Sequence, residues 1–314
     1  MRRLVETRDY RRRRISLTLV AMPELPDITV YVDRLAEKVQ GRVLERVRVL
    51  NPFLLRTAEP PLAEIEGRTV SGVERLGKRV VLALDNGRFL VVHLMVAGRL
   101  RWLLPGGKPP GKISLAVFEF DSGRLVLTEA GSKRRASLHV LADRTALTAL
   151  DPGGIDVLTA TLDDFSERLT RENHTLKRVL TDPRLYSGIG NAYSDEILFR
   201  AQLSPIALSQ KLTAEQIERL HRATQAVMHE WIERLGAEAG DWPEKVTAFH
   251  PAMAVHGRYG QPCPVCGTPV QRIVYADNET NYCARCQTGG KLLADRALST
   301  LLHKSWPKNI DELG

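Results

Sequence analysis

Four cysteines lie within 24 residues of one another, as Cys263-x2-Cys266-x16-Cys283-x2-Cys286, in a chain of 314 residues. Two Cys-x2-Cys pairs at this separation fit a tetrahedral site of four thiolates, and the ion they select is zinc. With sulfur in all four positions the zinc has no open coordination site and is structural, and thiols used this way imply a reducing compartment. A second group of residues offers anion chemistry. Gly188-Ile189-Gly190-Asn191 reads as a turn opening a helix, where backbone N–H groups and the positive end of the helix dipole would seat a phosphate. Asn191 can add a hydrogen bond, and Lys177, one helix earlier, can reach the same anion as a flexible point charge. On turn chemistry alone, the two glycines read more simply as residues that let the chain turn.

These residues need elements to hold them. Apolar residues at helical intervals predict a helix from about 28 to 40, closed by Gly41. β-branched runs follow, broken by the hairpin signals Asp85-Asn86-Gly87 and Asp121-Ser122-Gly123, and several short strands in series predict a sandwich or barrel. After Asp151-Pro152-Gly153-Gly154 the apolar spacing becomes helical, from Thr161 to about Leu235, punctuated by Asp182-Pro183 and Ser204-Pro205. The expected fold class is α+β and multidomain. Its parts are an Arg-rich extension (1–21), an N-terminal β-sandwich with a flanking helix (22–152), a helical domain (153–254), a zinc ribbon (255–290) and a tail (291–314) that reads as one short helix.

With 43% apolar and 26% charged residues the chain can bury real cores, and disordered and fibrous classes are excluded. Its longest apolar runs are too short to span a bilayer, so no membrane partner is expected. The formal charge is +8, but residues 1–21 supply +5 of it through seven arginines against Glu6 and Asp9. Overall charge therefore argues little for nucleic acid. The first 21 residues lack the hydrophobic core and cleavage site of a secretory signal and read as an Arg-rich solvated tail that touches DNA, a transit-like peptide or, the favoured reading, an upstream extension ahead of Met22.

Residues 172–205 resemble the helix-two-turn-helix segment of the formamidopyrimidine-DNA glycosylase and endonuclease VIII family. Three further regions resemble it in the same chain order. Met22-Pro23-Glu24-Leu25-Pro26-Asp27 is similar to its N-terminus, Gly77-Lys78 through His93 to Leu100 to its central β segment, and His256-Gly257-Arg258-Tyr259-Gly260-Gln261-Pro262-Cys263 to the approach to its zinc finger. The resemblance implies a base-excision-repair glycosylase and abasic-site lyase for oxidised bases, leaning to purines. It implies one structural zinc, damaged double-stranded DNA as partner, a monomer, and a cytoplasmic, nucleoid-associated location.

It also implies roles. Pro23 would be the nucleophile, its secondary amine attacking the sugar C1′ and forming an iminium ion. That needs a free amine, which a chain beginning at Met22 supplies after methionine removal and a chain beginning at Met1 does not. Glu24 would transfer a proton at the opening sugar ring, helped by desolvation. Asp27 stands where the family has a glutamate. Lys78 would touch the lesion sugar and its phosphates, and His93, Lys177, Asn191, Arg258, Lys133 and Arg134 would contact DNA. Three positions depart from the pattern. Val96 replaces the methionine that fills the void of the extruded base, with Met95 facing the other side if the segment is a strand. The loop Thr128–Arg135 has cations and no aromatic wedge. Asn278 replaces the finger arginine that grips phosphate. The readings that compete are a non-catalytic lesion-binding protein whose Pro23 is blocked, and a zinc-ribbon protein that binds RNA or protein.

Overall fold

The structure, a computed structural model, describes residues 22–131, 133–247, 249–275, 278–294 and 307–313. The Arg-rich extension and much of the tail lie outside the described residues. Among the described residues, no helix is long and apolar enough to cross a membrane.

The first helix, α1 (Leu25–Val39), starts earlier than its periodicity predicts, because Glu24 caps it and Pro26 fits its first turn. It feeds two cores. Leu25 is buried among helices of the second domain, whereas Ile28, Tyr31, Leu35 and Val39 are buried against the strands.

Eight strands follow, β1 (Val43–Val49), β2 (Arg68–Leu76), β3 (Arg79–Leu84), β4 (Phe89–His93), β5 (Gly98–Leu103), β6 (Ser114–Phe120), β7 (Gly123–Glu129) and β8 (Ser137–Leu141). Their order in space is β5-β7-β6-β1-β2-β3-β4-β8. β1 and β2 pair only at Val43↔Thr69 and Leu44↔Arg68, so the sheet opens there into two halves that fold face to face. Leu44, Phe118 and Leu125 of one half share a core with Leu82, Leu90 and Val140 of the other, which makes the domain a sandwich. Both predicted hairpins are present, β3–β4 and β6–β7. One expectation is corrected. Residues 95–97 form a turn rather than continuing β4, with Met95 at φ +53° and the Gly98 N–H bonded to the Leu94 carbonyl at 2.9 Å. A Cβ at Gly98 would lie 2.1 Å from that oxygen, so glycine is what permits the turn, and strand alternation does not separate Met95 from Val96.

A short helix, α2 (Arg144–Ala149), lies on the outer face of β3, β4 and β8. The helical domain then packs α3 (Leu162–Thr170), α4 (Leu176–Thr181), α5 (Asn191–Arg200) and α6 (Ala214–Ala239) around one core. Between them the two-residue strands β9 (Ile155–Asp156) and β10 (Tyr186–Ser187) pair in parallel. The ribbon is the hairpin of β11 (Gln271–Tyr275) and β12 (Asn278–Tyr282) followed by α7 (Ala284–Thr288). Of the tail, Leu292, Leu293 and Ile310 pack on this hairpin, and the described end is a 3-10 turn at Ile310–Leu313.

α5 is buried on every side from Ala192 to Leu198, carboxylates included. Glu196 faces the segment leading into the ribbon and accepts the N–H groups of Ala254, Val255 and His256 at 2.7, 2.9 and 2.9 Å. Burial pushes its carboxyl above the usual range, while those three bonds pull it back. Glu196→Gln sets an amide nitrogen against backbone donors and is expected to lower unfolding free energy by about 1–3 kcal/mol. Amide exchange at residues 254–256 should accelerate in the variant while that of β3 and β4 stays unchanged; equal acceleration in both would refute the assignment of Glu196 to this junction.

Candidate functional site

The turn before α5 is built against the start of α1. Gly188 has φ +86°, its carbonyl accepts the Leu25 N–H at 3.0 Å, and a Cβ there would lie 2.7 Å from that of Leu25. Gly190 is needed for space rather than for conformation, since its φ of −133° suits any residue. A Cβ on Gly190 would sit 2.4 Å from Glu24 Cδ and 2.5 Å from Lys78 Nζ. The carboxylate of α1 and the ammonium of the β2–β3 turn therefore converge on one glycine of the helical domain.

Three of the N–H groups at that turn, those of Gly190, Ala192 and Tyr193, are occupied from within the chain. Glu24 Oε2 accepts from Gly190 at 2.6 Å and Tyr193 at 3.3 Å, and Oε1 accepts from Ala192 at 2.8 Å. The helix dipole that would attract a phosphate attracts this chain's own carboxylate instead. Asn191 also points elsewhere, its side-chain amide donating to the Glu279 carbonyl of β12 at 2.9 Å.

Lys177 bonds at 2.6 Å to both the Asn191 carbonyl and Asp195 Oδ1. Asp195 Oδ2 accepts from His256 Nδ1 at 2.8 Å and from the Asn281 N–H at 3.1 Å. This fully buried carboxylate thus joins Lys177 of α4 to the ribbon. Reasoning from sequence missed Asp195, Glu196 and His256. The available signal was a helix with apolar neighbours all round two consecutive acids, Ala192-Tyr193-Ser194-Asp195-Glu196-Ile197-Leu198; acids in such a setting are buried and must be paired.

Asp27 accepts the Glu24 N–H at 2.8 Å. Burial, with the Glu24 charge adding, pushes its pKa up to about 7, against the pull of that N–H and of Arg99. Asp27 also borders a cavity of about 310 Å3 walled by Val30, Trp242 and Val246. Desolvation holds the Lys78 ammonium below the ordinary lysine value; the charges of Glu24 and Asp27 oppose this and that of Lys177 reinforces it. His93 ends β4 beside Arg79 of β3. Burial, then the charges of Arg79, Lys78 and His139, lower its pKa to about 4, so near neutral pH its ring is uncharged.

Other residues expected at the site stand apart from this group in their own contacts. Arg134 donates to the Lys112 carbonyl at 2.6 Å and Lys133 is exposed, both on the β7–β8 loop. Arg258 donates to the Pro251 carbonyl at 3.0 Å. Asn278 pairs with Tyr275 across the ribbon hairpin. Arg272 stacks on Tyr259 at 4.3 Å, and Arg285 pairs with Asp311 at 2.6 Å, so both are engaged within the ribbon and its tail.

The four cysteine Sγ atoms lie within 4.8 Å of one another, with Cys263–Cys286 at 3.9 Å and Cys266–Cys283 at 3.4 Å. A tetrahedron with ~2.3 Å zinc–sulfur bonds has edges of ~3.8 Å, so the cluster fits one closed zinc site. It stands at the base of the hairpin that Asn191 and Asp195 hold against α5.

Residues 22–136 match the formamidopyrimidine-DNA glycosylase N-terminal domain, residues 154–240 its H2TH domain, and residues 260–289 the zinc finger found in FPG and IleRS. The formamidopyrimidine-DNA glycosylase of Thermus thermophilus is 35% identical over 280 residues, covering 86% of this chain and 100% of that protein. The one from Herpetosiphon aurantiacus is 32% identical, covering 85% and 100%. The crystal structure of the MutM (Fpg) protein from Thermus thermophilus superposes with a TM-score of 0.71 at 33% identity, over 84% of this chain and 98% of that one. The Fpg of Lactococcus lactis, in a complex with DNA containing an abasic site, shares the fold with a TM-score of 0.75 at 22% identity, over 84% and 99%.

Two outcomes follow from the packing and charge of this site. Gly190→Ala places a methyl group where Glu24 and Lys78 meet; its unfolding free energy should fall by about 1–3 kcal/mol, and urea titration with no measurable loss would show that the site has slack. Asp27 binds its proton more tightly folded than unfolded, so its contribution to stability is full below pH 3.8 and is lost as pH rises to about 7. Asp27→Asn keeps an acceptor for the Glu24 N–H and removes this loss. Relative to the parent it should gain about 2–3 kcal/mol between pH 5 and pH 8; a constant difference across that range would refute the raised pKa.

Proposed function

The chain belongs to the formamidopyrimidine-DNA glycosylase family, and from that premise we propose that it excises oxidised bases from duplex DNA and then cleaves the abasic site through an imine on Pro23. The observation that carries this reading is the convergence of Glu24, adjacent in sequence to Pro23, with Lys78 at Gly190.

In this mechanism Pro23 is the first residue of the mature chain. Its amine has a pKa near ~8, so an appreciable neutral fraction is available near neutral pH. The nitrogen lone pair forms a bond to C1′ of the lesion nucleotide while the C1′–base bond breaks, and the amine proton is released; the nitrogen lone pair then expels O4′, which takes a proton from Glu24, and the opened sugar is left as the iminium ion. The departing base takes the electron pair and the proton the amine releases, and the partly open cavity beside Asp27 is where it is received. The iminium ion acidifies the C2′ hydrogen; loss of that proton expels the 3′ phosphate and cuts the strand. Glu24, fixed by three backbone N–H groups, is the proton carrier at the sugar ring. Lys78 stabilises the adjoining phosphates, desolvation making its charge count for more than it would in water. His93, as a neutral N–H donor, and Lys177, Asn191, Arg258, Lys133 and Arg134 are the remaining DNA contacts of this reading. The four thiolates hold a zinc ion whose task is to fix the ribbon for insertion beside an extruded base.

Excision of damaged guanine is the glycosylase readout, and borohydride capture on an abasic duplex is the lyase readout. Protein whose intact mass begins at Pro23 should yield a covalent adduct that peptide mapping places on Pro23. Glu24→Gln should slow excision by about 10²–10⁴-fold. Protein beginning at Pro23 that binds the abasic duplex tightly yet forms no adduct would overturn the imine mechanism in favour of lesion binding without chemistry.

A further inference from the structure

Beyond Lys78 the outer face of the β2-β3-β4-β8 half-sheet carries a row of basic side chains of which the site described above uses only His93. Cross-strand register places Arg79 opposite His93 and His93 opposite Ser137. Two residues further along the same face, Val81 lies opposite Val91 and Val91 opposite His139. Val81 and Val91 belong with Phe89, Leu141 and Leu147 to the apolar patch that α2 covers, which leaves Arg79, His93, Ser137 and His139 as the uncovered, half-buried end. Arg56 joins it from the neighbouring loop, its N–H bonded to the Leu138 carbonyl at 2.8 Å.

The row is poorly neutralised. His93 feels Arg79, Lys78 and His139, and His139 feels Arg79 and Arg56, all of which disfavour protonation. The acid acting on Arg79 is Asp151, and it forms no ion pair with it. Among the described residues neither the Arg56 nor the Arg79 guanidinium has a carboxylate at ion-pair distance, and His139 Nδ1 is buried without a hydrogen-bond partner. Arg56 is exposed, whereas Arg79 is half-buried, and holding a half-buried guanidinium without an acid is costly unless an external anion completes it.

We infer that Arg79, His139 and Arg56 form a phosphate-binding track, continuing from Lys78 and His93, that holds the DNA backbone. Lys78, next to Arg79 in the chain and close to Gly190, joins the row to the site described above. The arginines supply charge, and the neutral imidazoles and the Ser137 hydroxyl supply hydrogen bonds. This assignment rests on the proposed DNA glycosylase reading.

Ethylation interference on a duplex with an abasic-site analogue, together with Kd measured against KCl concentration, tests it. The parent protein should show interference at phosphates beyond the one next to the lesion, and Arg79→Gln and Arg56→Gln should each lose one such position. Each should weaken binding about 3–10-fold near 0.15 M salt and lower the slope of log K against log salt by about 0.9. Since neither guanidinium has an ion-pair partner, thermal midpoints should stay within about 2 °C of the parent's. His139→Leu should weaken binding with no change of slope. Unchanged slopes and interference patterns in both arginine variants would overturn the track. Excision by the parent protein in the same preparations separates the two readings: excision with unchanged slopes removes only the track, and altered slopes without excision remove only the glycosylase activity.

Discussion

The carboxylate of Glu24, 2% exposed, is held by the N–H groups of Gly190, Ala192 and Tyr193. A buried charge must be paired to be tolerated, and besides the capping box it makes at the start of α1 the three donors to this one belong to another domain. Docking of the sandwich on the helical domain is therefore the same event as completion of the site. α1 is arranged for it, with Leu25 in the helical core and Ile28, Tyr31 and Leu35 in the sandwich core. The interface has further ties, among them Arg75–Asp156 at 2.6 Å and the Trp242 indole to the Leu100 carbonyl at 3.1 Å. They set the angle at which the two cores meet.

From the same helix the constraint passes to the ribbon. The first two turns of α5 supply the cap for Glu24, the amide that reaches β12, the carboxylate that joins Lys177 to His256, and the carboxylate that receives the N–H groups of residues 254–256. A small zinc-stapled hairpin cannot orient itself by hydrophobic burial alone. Its orientation comes from buried, charge-assisted hydrogen bonds, which are stronger and more directional than apolar packing. The ribbon, Lys78 and Glu24 thus share one rigid reference in the start of α5.

Much of this was legible in the sequence. The Asp-Asn-Gly and Asp-Ser-Gly hairpins, the change from two-residue to helical period near residue 152, and the spacing of the four cysteines each reflect a local rule that tertiary structure did not override. What was hidden depends on partners distant in the chain. Gly188 and Gly190 announce a helix N-terminus, but only the fold reveals that a carboxylate from α1 fills it. Leu94 to Ala97 has the apolar character of a strand, and the turn there is set by the contact of Gly98 with the Leu94 carbonyl. Asp195 and Glu196 resemble ordinary surface acids until the helix around them is seen to be enclosed. Arg79 and His139 lie 60 residues apart, and only strand register brings them to one face.

The bond between the Gly190 N–H and Glu24 spans 166 residues. Ribosomes extend a chain at about 5–20 residues per second, and N-terminal domains fold first. A nascent sandwich, complete once β8 has been made at Leu141, therefore carries Pro23, Glu24 and Lys78 for roughly 2–10 s before the turn at Gly190 has been synthesised. During that interval, truncated or stalled chains hold these side chains without the backbone donors that fix the Glu24 carboxylate. The site is in this way incomplete until translation has passed the turn before α5.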